Sequence, residues 1–187
     1  MSLDTFGKLL VPAQPWLLRM ASSHSEMTDF LWSFQRRHPG SAVRFLRGKA
    51  MTTVQGLYDE FTAALQFPYY FGYNGGAFDE CLTDLSWLPA KAYVLTIVDS
   101  ADFLVCEDLL ASEPKQLPLF LNALERICLE WSKPIAKGES WDRPAVAFHV
   151  SFHCIADDVR RLAPKIADLP CISVPPVGAR LTRRETS

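Results

Sequence analysis

FPYYFGYNGGAFDECLTDLSWL, Phe67–Leu88, is the stretch on which the reading of this chain turns. Asn74 is a favoured helix cap, and its side chain can accept from the first free backbone N–H groups. Beyond it Ala77, Phe78, Cys81, Leu82 and Leu85 recur at three- and four-residue spacing, which predicts a helix from about Gly75 to Leu85. That spacing buries those five side chains and turns Gly76, Asp79, Glu80 and Thr83 outward. Upstream, Tyr69, Tyr70, Phe71 and Tyr73 crowd four aromatics into five residues. Each buried tyrosine hydroxyl needs a partner, so Tyr70 or Tyr73 is expected at the surface as an anchor for a partner. Gly72, Gly75 and Gly76 read as turn and helix-start glycines, and a bare first turn lets another backbone approach closely.

Working outward, no Lys, Arg or His occurs between Lys49 and Lys91, whereas Asp59, Glu60, Asp79, Glu80 and Asp84 all do. The window carries −5 against −2 for the whole chain, which leaves +3 elsewhere. An acidic, aromatic-rich surface on a nearly neutral protein points to a docking face for a cationic partner.

On the N-terminal side, residues 1–24 are apolar but broken by Pro12 and Pro15, and read as an irregular arm. Ser25 is the expected cap of a helix carrying Met27, Phe30, Leu31 and Phe34 and ending at Arg36–His38 before Pro39-Gly40. Ala42–Leu46 reads as a strand, Gly48 as a turn and Thr53–Leu65 as a helix. On the C-terminal side Ala92–Val98 is a nearly continuous apolar run, as in a strand buried on both faces. Gln116–Trp131 has strong helical periodicity. Lys133–Arg143 is a turn-rich loop, Pro144–Phe152 a third strand and Asp157–Ala167 a helix. Cys171–Val174 is a candidate edge strand, and the tail from Pro175 is read as frayed. Strands alternating with helices predict an α/β fold: a small three-stranded, or with the edge strand four-stranded, mainly parallel sheet covered by helices. At 187 residues, one domain over 1–187 is expected.

The mild acidity argues against direct nucleic-acid binding, and no apolar run approaches the ~20 residues that cross a bilayer. The first residues do not read as a signal peptide. The five cysteines, Cys81, Cys106, Cys128, Cys154 and Cys171, show no C-x-x-C spacing, so reduced thiols and a cytoplasmic location are expected.

Tyr70-Phe71-Gly72-Tyr73-Asn74, Ala77-Phe78, Glu80-Cys81-Leu82 and Asp84-Leu85 together resemble the signature segment of the barstar family, small intracellular inhibitors of secreted ribonucleases. The order of the flanking strands and helices agrees, and the resemblance spans roughly Ala42–His153. The first 40 residues and the last 34 lie outside it, as additions to a core of about 42–153. The resemblance implies that loop and helix plug a nuclease active site, with acidic side chains standing where the substrate phosphate would lie. It places Glu80 at the central inhibitory carboxylate and Tyr70 at a contacting aromatic. The chain departs from the family at Gly75 and Gly76, where members often carry a bulky residue and then an aspartate; Asp79 is the candidate replacement for that charge. The implied partner-binding set is Tyr69, Tyr70, Gly72, Tyr73, Asn74, Gly75, Gly76, Asp79, Glu80 and Thr83. The implied partner is a cationic ribonuclease or nuclease toxin, with no catalysis and no cofactor.

Two other readings stand beside this one. A small metal-dependent hydrolase would use His149, His153 and Cys154, although on a strand the two histidines lie about 13 Å apart at ~3.3 Å per residue. No G-x-S-x-G elbow or phosphate-binding glycine loop supports an enzyme. A barstar-like protein that binds a non-nuclease partner would account for Gly75 and Gly76. The bland reading of Asp79, Glu80, Arg160 and Arg161 is solvated surface charge.

Overall fold

The computed structural model describes the backbone of residues 5–108 and 115–175. The chain runs α1 (Thr5–Leu9), β1 (Leu17–Ala21), α2 (His24–Arg37), β2 (Ser41–Arg47), α3 (Val54–Leu65), α4 (Gly75–Asp84) and β3 (Ala92–Val98). It continues with α5 (Val105–Asp108), α6 (Gln116–Trp131), β4 (Ala147–Cys154) and α7 (Pro164–Ala167). Short 3₁₀ segments follow β2, β3 and β4.

The four strands form one sheet in the order β1-β4-β3-β2, and every pairing is parallel. β3 and β4 occupy the centre, which is why AYVLTIV and AFHVSFHC are buried almost throughout. Alternation along the strands sorts their side chains. Phe148, Val150, Phe152 and Cys154 join Tyr93, Leu95 and Ile97 in the larger core, under α3, α4 and α6. Val43 and Val94 face the smaller core, with Phe30, Leu31 and Phe34 of α2 and Phe6 of α1. His149, Ser151 and His153 point to this second face; Ser151 Oγ lies 2.8 Å from Thr96 Oγ1, so the buried hydroxyls satisfy each other.

Four local expectations are corrected. Residues 1–24 are not an irregular arm, because Leu17–Ala21 pairs with β4 from Leu17↔Val150 to Ala21↔Cys154. Its five residues, set just after two prolines, are too short for alternation to reveal. The fourth strand is therefore this one, and Cys171–Val174 contributes a single bridge, Arg19↔Cys171. α2 is capped by Ser23 rather than Ser25: Ser23 Oγ accepts from the Glu26 amide while Glu26 reaches back to the Ser23 amide at 2.9 Å, a reciprocal capping box. The predicted helix over Asp157–Ala167 splits into a 3₁₀ segment (Ala156–Arg161) and the one-turn α7, because Ala163, which precedes Pro164, is extended at ψ 140°. The tail after Pro175 lies outside the described residues. No described helix is long and apolar enough to cross a membrane.

Candidate functional site

α4 and its preceding loop occupy one side of the α3/α6 layer. Asn74 Oδ1 accepts from the Ala77 amide at 3.0 Å, and Asn74 Nδ2 donates to the Gly72 carbonyl at 3.1 Å. One side chain thus caps the helix and folds the loop against it. Phe71 is the aromatic that turns inward, edge-on to Phe67 and Tyr58. Tyr69, Tyr70 and Tyr73 turn outward, at 101%, 64% and 48% relative exposure. Tyr73 is held at φ 48°, a left-handed conformation that costs a non-glycine residue about 1 kcal/mol. Its ring leans on Phe71, with centroids 4.9 Å apart, so packing keeps the strained residue in place.

Within α4, Phe78, Cys81 and Leu82 are buried, and Gly75, Gly76 and Glu80 are exposed. Asp79 and Thr83 are half-buried; the Thr83 hydroxyl donates to the Asp79 carbonyl at 2.8 Å. A side chain at Gly75 would meet nothing nearer than Tyr58 Oη at 3.9 Å, and one at Gly76 nothing nearer than Asn74 Oδ1 at 3.4 Å. Packing therefore does not demand glycine at either position. Gly72 differs, since a Cβ there would come within 2.9 Å of Asn74 Nδ2.

The acidic window is not the field that its sequence suggests. Glu60, 7% exposed, accepts from the Arg47 amide at 3.0 Å and from the Arg47 guanidinium. Those hydrogen bonds outweigh burial and hold its carboxyl below the usual range. Asp79 is gripped by Arg126 of α6 through two bonds, of 2.9 and 2.5 Å. Two of the five carboxylates are thus neutralised by arginines from outside the window. Of the rest, Asp59 accepts from Gln55 and Asp84 from Ser86. Glu80 alone makes no side-chain hydrogen bond or ion pair among the described residues. Asp79 is accordingly not the free replacement charge expected of it. Arg126 was not legible as part of the site: it sits on the polar side of a long amphipathic helix, and its partner is 47 residues away. A cleft of about 240 Å³ runs beside this pair between α3, α4 and α6, lined by Tyr58, Gly75, Leu119 and Arg126 among others.

A family model described as Barstar (barnase inhibitor) matches residues 41–153. The chain belongs to the barstar family. The four-stranded parallel sheet and its helical layers agree with the α/β architecture expected from the resemblance. A search of curated proteins finds no match. The barstar match begins at the first residue of β2 and ends one residue before the end of β4. It leaves out β1 and α2, which this chain adds to the sheet edge and to the second face.

The residues of the hydrolase reading do not assemble. Cys154 faces the larger core while both histidines face the other side. Both ring nitrogens of His149 lie against backbone carbonyls, Nε2 3.0 Å from Val11 and Nδ1 3.2 Å from Pro15, so the ring is enclosed by its own chain. Arg161 is also more than solvated charge, since it bridges Asp158 and Asp102 at 2.8 and 2.6 Å. All five cysteines are free thiols, Cys106 and Cys171 exposed and the other three buried.

Proposed function

We propose that this barstar-family chain is an inhibitor, an immunity protein that blocks the active site of a cationic ribonuclease or related nuclease toxin in a bacterial cytoplasm. The supporting observation is the free carboxylate of Glu80, set on the outer side of α4 beside a loop that turns three tyrosines to solvent. Tyrosines are effective interface anchors, and a carboxylate without an internal partner keeps its capacity for charge-assisted bonds to Arg, Lys or His⁺. Tyr69, Tyr70, Gly72, Tyr73, Asn74, Gly75, Gly76, Asp79, Glu80 and Thr83 form the proposed contact surface, within one domain spanning 1–187. In this reading Tyr70 and Tyr73 pack at the interface core, the bare turn at Gly75-Gly76 admits the partner's backbone, and Glu80 occupies the phosphate position. Asn74 and Thr83 hold the loop and helix in shape. Asp79 contributes through Arg126, whose charge it cancels at the rim of the patch.

A second reading keeps the fold and changes the partner. The glycine at position 76 and the capture of Asp79 leave Glu80 as the one free acidic side chain of that surface, fewer than the family resemblance implies. A protein partner other than a nuclease fits that thinner charge. Inhibition assays of a panel of small bacterial ribonucleases, with calorimetric titration of each, test the first reading directly. Tight binding of the folded chain to a non-nuclease in a pull-down, with no inhibition of any member of the panel, would favour the second.

A further inference from the structure

A second group of polar side chains gathers at the opposite functional edge of the sheet, the carboxyl ends of β1, β3 and β4. His24 opens α2 just after β1, Asp99 follows β3 directly, and His153 lies one residue before the end of β4. Each offers a ligand atom within 4.8 Å of the others. His24 Nε2 lies 2.7 Å from Asp99 Oδ1, and the two imidazole rings stand 5.2 Å apart. Parallel sheets present their ligand sites at this edge, where connections leave neighbouring strands toward opposite faces. Here β1 leads into α2 on one face, whereas β3, on the other side of β4, leads toward α6 on the opposite face.

His153 supplies the independent observation. The residue is fully buried at 0% exposure. Its Nε2 sits 3.0 Å from the Ser22 carbonyl, which can only accept, so that nitrogen carries the hydrogen. Its Nδ1 is buried with no hydrogen-bond partner among the described residues. With the hydrogen on Nε2, Nδ1 is the ring atom left to offer a lone pair, and it does so from a buried position. An orphaned acceptor of that kind keeps its desolvation penalty unless something fills it. A metal-bound histidine has this arrangement: one nitrogen on the ion, the other N–H donated to a backbone carbonyl that fixes the ring.

We propose that His24, Asp99 and His153 form a binding site for a zinc-class divalent cation, with His153 Nδ1, His24 Nε2 and Asp99 Oδ1 as ligands and a fourth position open to water. Two imidazoles and one carboxylate suit a borderline-soft ion, and three protein ligands with an open position are an ordinary zinc set. At bond lengths of about 2.0–2.1 Å the ligand atoms of a tetrahedral site lie about 3.3 Å apart, so a group now within 4.8 Å must rearrange modestly to hold an ion. His24, with a half-exposed side chain, is free to supply that movement. The ion takes the place of the proton now shared between His24 Nε2 and Asp99 Oδ1, and His24 passes to its Nδ1–H tautomer.

The surrounding charges permit a cation. Lys49 holds the other Asp99 oxygen at 3.0 Å and leaves Oδ1 available. Arg161 is spent on Asp102 and Asp158. Asp99, Asp102 and Asp158 against Lys49 and Arg161 leave one net negative charge before the ion arrives. The consequence is architectural: the cation ties the β1–α2 segment, which the barstar match leaves out, to β3 and β4 within it. The site is independent of the α4 surface and of any nuclease partner.

The test uses the full, untagged chain with Cys106→Ser and Cys171→Ser to remove its exposed thiols as competing ligands. After chelation and dialysis, zinc is titrated calorimetrically, and cobalt(II) is added in parallel to read the visible bands of a four-coordinate site. The proposal expects one zinc per chain, a thermal midpoint that rises with zinc, and losses of about 10-fold or more in affinity for both His24→Ala and Asp99→Asn. His153→Gln is read only if its circular dichroism matches the parent. His24 is exposed, so its replacement leaves the fold intact and keeps the test decisive. A parent chain that takes up no zinc at ~100-fold molar excess overturns the proposal, as does undiminished one-to-one binding by His24→Ala.

Discussion

Glu80 and Asp79 are neighbours on α4, both acidic and at similar depth in the sequence window, yet the structure assigns them opposite behaviour on truncation. Glu80→Ala removes a carboxylate with no hydrogen-bond or ion-pair partner among the described residues, so its effect on stability should stay within about 0.5 kcal/mol. Asp79→Ala removes a two-bonded partner of Arg126 whose side chains are 32% and 51% exposed. The bidentate geometry argues for more than an ordinary surface pair and the exposure for less, which places the loss at about 0.5–1 kcal/mol. For a chain of this size that is a fall of roughly 1–4 °C in thermal midpoint. Binding should reverse the ranking. Glu80→Ala should cost about 2 kcal/mol or more with the cognate nuclease, at least ~30-fold in affinity. That figure belongs to interface carboxylates in general, the barnase–barstar pair included, and not to this chain's geometry. Glu80→Gln should recover part of it, since shape returns without charge. Asp79→Ala should weaken binding less, by releasing the Arg126 guanidinium beside a surface that must receive a cation; Asp79→Ala/Arg126→Ala should restore the loss. Melting curves and calorimetric titrations of the four variants measure both quantities. Unchanged affinity for Glu80→Ala would refute the assignment of Glu80 as the inhibitory carboxylate and favour a non-nuclease partner. A large stability loss for Glu80→Ala would mean that it is not free.

Three further outcomes are expected. Gly76→Asp should raise the thermal midpoint, because the position is sterically open, glycine inside a helix costs roughly 0.5–1 kcal/mol and a carboxylate in the first turn favours the helix dipole; it should also tighten nuclease binding, and a fall in both would show that the bare turn is itself the contact. Association followed by stopped flow should slow between ~10 and ~150 mM salt as the Debye length contracts, but only by the amount that one free carboxylate at the patch confers; a steep slope would mean that Asp79 detaches from Arg126 in the encounter. Acidification should destabilise the chain in two stages. Burial lowers the basicity of His149 and His153 against their carbonyl contacts, so the unfolded chain takes up their protons first and stability falls once pH drops below about 6.5. Glu60, held low by Arg47, contributes stability that is present above the ordinary carboxylate range and lost as pH falls below about 4.3; urea midpoints across pH should show both stages, and Glu60→Gln should flatten only the lower one.

What this sequence determined by itself was whatever a short window can encode. The apolar run Ala92–Val98 and the periodicity of Gln116–Trp131 named their elements to the residue, because a buried strand and an amphipathic helix write their burial into consecutive side chains. Asn74 announced α4 because a cap acts on amides only two or three residues ahead. The capping box at Ser23 and Glu26 is equally local, a Ser followed three residues later by a Glu, and competes in sequence with Ser25 for the same helix start. Tertiary structure alone decided the rest. β1 exists because β4 offers it an edge, and its own five residues carry too little pattern to show it. The −5 of the acidic window fell to −3 because Arg47 and Arg126 fold onto it from either side in the chain and neutralise Glu60 and Asp79. His24, Asp99 and His153 meet because three parallel strands end at the same edge. Charge pairing and ligand geometry depend on distances in space, and residues that are 47, 54 or 75 apart in sequence carry no local trace of them.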